Sequence, residues 1–203
     1  MNTKSLLLAA VVAAVGAVTG AAQVTSQNIV GYIRLSLNPG FNLVANQLNN
    51  GNNTVATVLN VPDGTDVFKW TGTGYTLNSF VDGAWDVPTQ TLTPGEGFFV
   101  RVGAATTVTL IGEVSLSNSK ALINGFNLIS LPLPLAGDIT AAAVGGFPAA
   151  EGDDVFQWTG TGFGLKSFVD GIWEGGNPTV RVGEGFFVRG TARTYTRNFT
   201  VSN

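Results

Sequence analysis

An all-β fold, built twice, is what this sequence predicts, and three observations predict it. The stretch FVDGAW at Phe80–Trp85 returns as FVDGIW at Phe168–Trp173. In each, Asp-Gly separates two short β-forming runs, a strong hairpin signal because Asp and Gly accept the positive φ angles of a type I′ turn. The surrounding chain also overlays itself. With Asp66 set on Asp154, DVFKWTGTGYTLNSFVDGAW faces DVFQWTGTGFGLKSFVDGIW with 15 of 20 positions identical, and GEGFFVR at Gly95 falls on GEGFFVR at Gly183. A period of roughly 85–90 residues that occurs twice reads as a duplicated small domain rather than a solenoid.

The elements follow in order. Gly40–Leu48 reads as an early strand, matched by the GFNL at Gly125. Thr54–Leu59 and its counterpart Ile139–Val144 read as brief helices. Residues 66–70, 75–81 and 84–87 form a three-stranded meander, with TGTG and Asp82-Gly83 as its two turns. Pro94-Gly95-Glu96-Gly97 bends into the apolar strand Phe98–Val102, and the alternating run Thr106–Val114 closes the copy. The prediction is two tandem homologous small β-modules, residues 23–115 and 116–203, each barrel-, roll- or sandwich-like with one short helix. These architectures limit exposed strand edges.

Before the first module, Lys4 is followed by the apolar run Leu6–Val18 and the small residues Gly20-Ala21-Ala22. This is the layout of a secretory signal peptide over residues 1–22, with the exported chain starting near Gln23. The apolar run is shorter than the roughly 20 residues a membrane span needs, so no span is expected once the signal is removed.

Composition excludes several function classes. The chain has no His and no Cys. A Ser-His-Asp or Cys-His site is impossible, as is a His/Cys zinc site. An exported chain without disulfides is ordinary in bacteria. The net charge of −3 and the absence of a Lys/Arg cluster disfavour nucleic acid as a partner.

The series GFNL(I/V), then SLPL, VFxW and GEGFFV resembles a module of secreted bacterial and archaeal surface proteins. Gly125–Leu133 and Gly183–Val188 carry the pattern closely, while Ala45-Asn46-Gln47 replaces the Ser-Leu-Pro element in the first copy. The resemblance spans nearly all of the chain after residue 22 and implies a secreted surface β-module.

Strand alternation assigns two faces to the meander. Phe68, Trp70, Tyr75, Leu77 and Val81 share one side, which is continuously apolar and expected to be core. Phe80 and Trp85 share the other side with Lys69, Thr76 and Asn78; the second copy gives Phe168 and Trp173 with Gln157, Gly164 and Lys166. Aromatic rings beside amides and cations suit a sugar, so Phe80, Trp85, Asn78, Lys69, Phe168, Trp173, Lys166 and Gln157 are the candidate ligand-binding residues. The competing expectation, which carries more weight, is that each aromatic pair is buried and stabilises its hairpin.

The acidic residues offer less. Asp63, Asp66, Asp82, Asp86, Glu151, Asp153, Asp154, Asp170 and Glu174 match no EF-hand or nonapeptide calcium loop, and no metal or cofactor is expected. Glu96 with Asp86 could be drawn as a glycosidase pair. The better expectation for Glu96 and Glu184 is a tight turn, accepting backbone N–H groups or pairing with Arg101 and Arg189. Arg181, Arg189, Arg193 and Arg197 make the tail locally basic, either as a docking patch or as the charged outer face of closing strands. The sequence thus points to a secreted, non-enzymatic protein with a structural or adhesive role. Its expected partners are extracellular polysaccharide or neighbouring surface proteins. A bivalent carbohydrate-binding protein is the alternative, and a carboxylate glycosidase the least favoured reading.

Overall fold

The computed structural model describes residues 29–199; the signal-peptide reading of residues 1–22 lies outside them. Among the described residues the fold is all-β, and no helix is long and apolar enough to cross a membrane. The first half contains β1 (Val30–Leu37), β2 (Gly40–Asn46), α1 (Val55–Val58), β3 (Thr65–Trp70), β4 (Tyr75–Val81), β5 (Ala84–Trp85), β6 (Glu96–Val102) and β7 (Thr106–Glu113). The second half contains β8 (Ser117–Leu122), β9 (Gly125–Ser130), β10 (Gly137–Asp138), β11 (Asp154–Trp158), β12 (Phe163–Val169), β13 (Ile172–Trp173), β14 (Thr179–Val180), β15 (Gly185–Gly190) and β16 (Arg193–Asn198).

The two sets pair alike. The order β5-β4-β3-β6-β2 in the first half has its counterpart in β13-β12-β11-β15-β9. The ribbon β1–β7 corresponds to β8–β16. The meander register is the expected one: Trp70 faces Tyr75, Phe80 faces Trp85 and Phe168 faces Trp173. Asp82 and Asp170 both take φ 52° and the glycines after them φ 78°, the left-handed values a type I′ turn requires. Asp63 accepts hydrogen bonds from the Asp82 and Gly83 amides at 3.0 and 2.9 Å, and Glu151 does the same for Asp170 at 2.9 Å.

The consecutive aromatics of GEGFFV explain how a half is layered. Phe98 points into the first half's own core with Val67, Val100, Trp85 and the ribbon residues Ile33, Leu35 and Leu110. Its neighbour Phe99 points the other way, into a separate cluster with Leu43, Leu128 and Phe187. Phe186 and Phe187 divide in the same manner. Each half is therefore a ribbon packed on the outer face of a sheet, and the inner faces of the two sheets pack on each other. The sheets also join edgewise through single bridges, Glu96 to Ile129 and Val44 to Glu184. The resulting ten-stranded sheet ends at β5 and β13, so the barrel among the expected architectures does not form.

Two expectations are corrected. Among the described residues only the first half has a helix. Thr140–Gly145 is a run of turns in which Val144 and Gly146 both donate to the Ala141 carbonyl at 2.9 Å. Two glycines end the run before a helical ladder can propagate. The second correction concerns the meander faces. The apolar side is only half interior: Phe68 and Trp70 pack into the cluster between the sheets, whereas Tyr75, Leu77 and Val81 are exposed. The side carrying polar residues lies inside its half, with Val67 and Asn78 fully buried.

Candidate functional site

The hairpin aromatics that suggested a sugar platform are interior. Trp85 and Trp173 each keep 7 % exposure, against half-buried Phe80 and Phe168 at ring-centroid distances of 5.2 and 5.1 Å. The polar residues beside them fasten the loop that roofs this face. Asn78 donates to the Val87 carbonyl at 2.8 Å and accepts from the Val87 amide at 3.0 Å. Lys69 reaches the Thr91 carbonyl at 2.7 Å and pairs with Glu96 at 3.2 Å. In the second half Gln157 donates to the Thr179 carbonyl and Lys166 to that of Gly175. The structure brings these residues together as staples, and that position leaves no ring face of Trp85 or Trp173 open to a pyranose.

The charged groups are similarly engaged. Arg101 pairs with Asp66 and Arg189 with Asp154, each through Nε at 2.9 Å, and not with the Gly-Glu-Gly carboxylates. Glu96 and Glu184 do accept backbone N–H groups, from Thr93 at 3.3 Å and Arg181 at 3.0 Å. Arg193 pairs with the buried Asp153 through Nη1 at 3.0 Å and lies 5.2 Å from the Phe147 ring centroid. Two arginines of the basic tail are thus internal ion-pair partners. Asp138 accepts from the Thr140 amide at 2.8 Å and from Asn177 at 2.7 Å. Burial pushes its carboxyl upward, but these donors outweigh it and hold the pKa below the ordinary value.

Contacts between the halves are reciprocal. Trp70 donates its indole N–H to the Phe126 carbonyl at 3.2 Å, and Trp158 donates to the Phe41 carbonyl at 3.0 Å. The Trp70 and Phe187 rings meet edge to face at 5.3 Å, as do Trp158 and Phe99. Such pairs contribute about 0.5–1.5 kcal/mol each beyond area burial. The Ala45 amide donates to Gly183 at 2.9 Å, and the Ser130 amide to Gly95 at 3.1 Å. The second glycine of each Gly-Glu-Gly is needed for this approach. A Cβ on Gly97 would sit 2.9 Å from the Ile129 carbonyl oxygen, and one on Gly185 2.8 Å from that of Val44.

One cleft breaks this symmetry. It encloses about 490 Å³ between the Asn38-Pro39 turn, the Trp158–Gly160 segment and the Arg181–Glu184 turn. Arg34 on the outer side of β1 and Arg181 from the second half both line it, with Ser36, Asn38, Phe41 and Trp158. Overlaying the copies puts Ser119 at the place of Arg34, Ile123 at that of Asn38 and Thr93 at that of Arg181. Ile123 puts an apolar side chain at the second location, its Cδ1 lying 3.7 Å from a Cβ built on Gly72. Sequence reasoning named Arg181 only as part of the tail and missed Arg34, Asn38 and Trp158 as cleft residues. For Arg34 and Asn38 the signal was a departure from the repeat, whereas Trp158 matches Trp70 and gave none.

A scan against protein-family models finds no match, and searches of curated proteins and of solved structures find none either.

Proposed function

We propose that this chain is a secreted, non-enzymatic protein of two tandem homologous β-modules, residues 23–115 and 116–203, exported by a signal peptide over residues 1–22. Its role is structural or adhesive at the cell surface or in the extracellular matrix, where polysaccharide or neighbouring surface proteins are its partners. The observation that carries this reading is the reciprocal contact between the halves. Trp70 and Trp158 each bond one half to the other, which joins two modules too small to bury much surface alone. Burial of Trp85 and Trp173 argues in the same direction. The engagement of Glu96 with Lys69 and the Thr93 amide gives it an architectural use in place of acid catalysis.

Fractionation of the producing cells tests this. The protein should be found in the cell-wall or matrix fraction, with an N-terminus near Gln23 by mass spectrometry. Recovery from the cytosol with Met1 retained would overturn the export on which the role depends.

A further inference from the structure

We propose that the cleft lined by Arg34 and Arg181 binds the carboxylate groups of an acidic polysaccharide, one site per chain. This deepens the adhesive reading above, on which it rests, by giving the polysaccharide partner a site.

The chain has six arginines, at positions 34, 101, 181, 189, 193 and 197. Arg101, Arg189 and Arg193 are held by Asp66, Asp154 and Asp153. Arg34 and Arg181 come from opposite halves, some 147 positions apart in sequence, and line one concavity. Two cations on the wall of one cleft favour an anion within it, and the planar fork of Arg matches a carboxylate bidentately. Glu184 partly offsets this field, since its carboxylate accepts from the Arg181 amide at 3.0 Å and from Nε at 3.4 Å. The Arg181 side chain remains 90 % exposed, so its terminal nitrogens face solvent.

The rest of the lining fits a saccharide better than a bare anion. Ser36 and Asn38 offer hydroxyl and amide groups, while Phe41 and Trp158 form an apolar wall. The volume of about 490 Å³ falls in the ordinary range for small-ligand sites, and the cleft is open to solvent, as an internal unit of a long polymer requires. The duplication adds an independent observation. Ser119, Ile123 and Thr93 remove both cations and the amide from the equivalent place in the other half, and Ile123 puts an apolar side chain there. Charge and side-chain size change together here, while the core contacts between the halves are kept.

The test is titration of the exported chain with a short oligogalacturonate, followed by calorimetry and by the amide signals of Thr159 and Gly160. The exposed cleft should bind weakly, with Kd on the order of millimolar. Affinity should fall as salt is raised. Arg34→Gln and Arg181→Gln should each weaken binding about tenfold or more, whereas Lys120→Gln, a cation outside the cleft, should not. Both arginine variants remove exposed groups and should melt like the parent. A carboxyl-reduced oligomer should bind far more weakly, and a sulfated oligomer reports whether any anion suffices. Equal binding of the reduced oligomer, parental affinity in both arginine variants, tighter binding of the sulfated oligomer, or unmoved Thr159 and Gly160 signals would each overturn the assignment. None of these outcomes alters the fractionation result on which the structural role rests.

Discussion

At one corner the two halves solve the same packing problem with opposite chemistry. In the first half Thr65, Val102 and Thr106 meet there, and the Thr65 hydroxyl donates to the Pro62 carbonyl at 2.7 Å. In the second half the corresponding residues are Asp153, Gly190 and Arg193. Asp153 accepts from Arg193 Nη1 at 3.0 Å and from the Ala150 amide at 2.8 Å, with its side chain 1 % and that of Arg193 16 % exposed. Gly190 makes room: a Cβ there would lie 2.1 Å from the Asp153 carboxylate. The difference teaches that one strand framework accommodates an uncharged corner or a buried ion pair when a third position changes with them. The substitution is a package, and half of it is worse than either whole.

This comparison holds only if the halves are equivalent elsewhere, and the hairpin tryptophans test that with the largest effect. Trp85 and Trp173 have the same burial and the same aromatic partner. Trp85→Ala and Trp173→Ala should each lower stability by about 3–5 kcal/mol, measured by urea denaturation followed by circular dichroism. Losses that differ by more than about 2 kcal/mol would show that the halves are not interchangeable frameworks. A loss near zero in either would place that ring outside the core.

The corner itself comes next. Asp153→Ala leaves the Arg193 cation largely buried, and the expected loss is about 3 kcal/mol. Asp153→Thr with Gly190→Val and Arg193→Thr imports the first half's package and should restore parental stability or exceed it by about 1 kcal/mol, because a well-packed uncharged corner commonly matches a buried ion pair. A triple variant as unstable as Asp153→Ala would break the comparison, since the corner would then depend on surroundings that the two halves do not share.

How much of this was legible in the sequence follows from the range of the interactions. The Asp-Gly turns and the register of Phe80 with Trp85 are local, and both were readable. The ribbon strand β1 was not assigned. Its alternation of Ile33, Leu35 and Leu37 is plain, but its partner β7 lies some 70 residues onward. Ile139–Val144 was misread as a helix because its alanines favour one; the tight approach of Gly145 to Ile139, with 2.0 Å between a built Cβ and the Ile139 carbonyl oxygen, depends on packing that propensity does not report. The meander faces were misjudged for a related reason. Polarity at Lys69 and Asn78 resembles solvent exposure, yet backbone carbonyls of the covering loop satisfy both groups. The cleft was missed because its two cations, Arg34 and Arg181, lie some 147 positions apart and only the fold brings them to one concavity.

The smallest expected effect at neutral pH separates the halves most cleanly at high pH. The second half places Tyr195 where the first has Val108, and its buried hydroxyl donates to the Gly145 carbonyl at 2.7 Å. Burial pushes this phenol far above its ordinary value of 10, against a weaker opposing pull from Arg197. Folded Tyr195 therefore keeps its proton where the unfolded chain loses it. The stabilisation is complete below about pH 10 and drains away as pH rises past it, by roughly 1.4 kcal/mol per pH unit while only the unfolded form titrates. Tyr75 shifts the same way through partial burial and contributes to both parent and variant. Tyr195→Phe removes the hydrogen bond and should cost about 1 kcal/mol at pH 7, but it also removes the proton that the unfolded state would release. Denaturation curves at pH 7 and at successive steps above pH 10 should show the variant starting lower, losing less stability per unit and overtaking the parent. If parent and variant fall with the same slope, Tyr195 is not the group through which alkaline pH opens the second half.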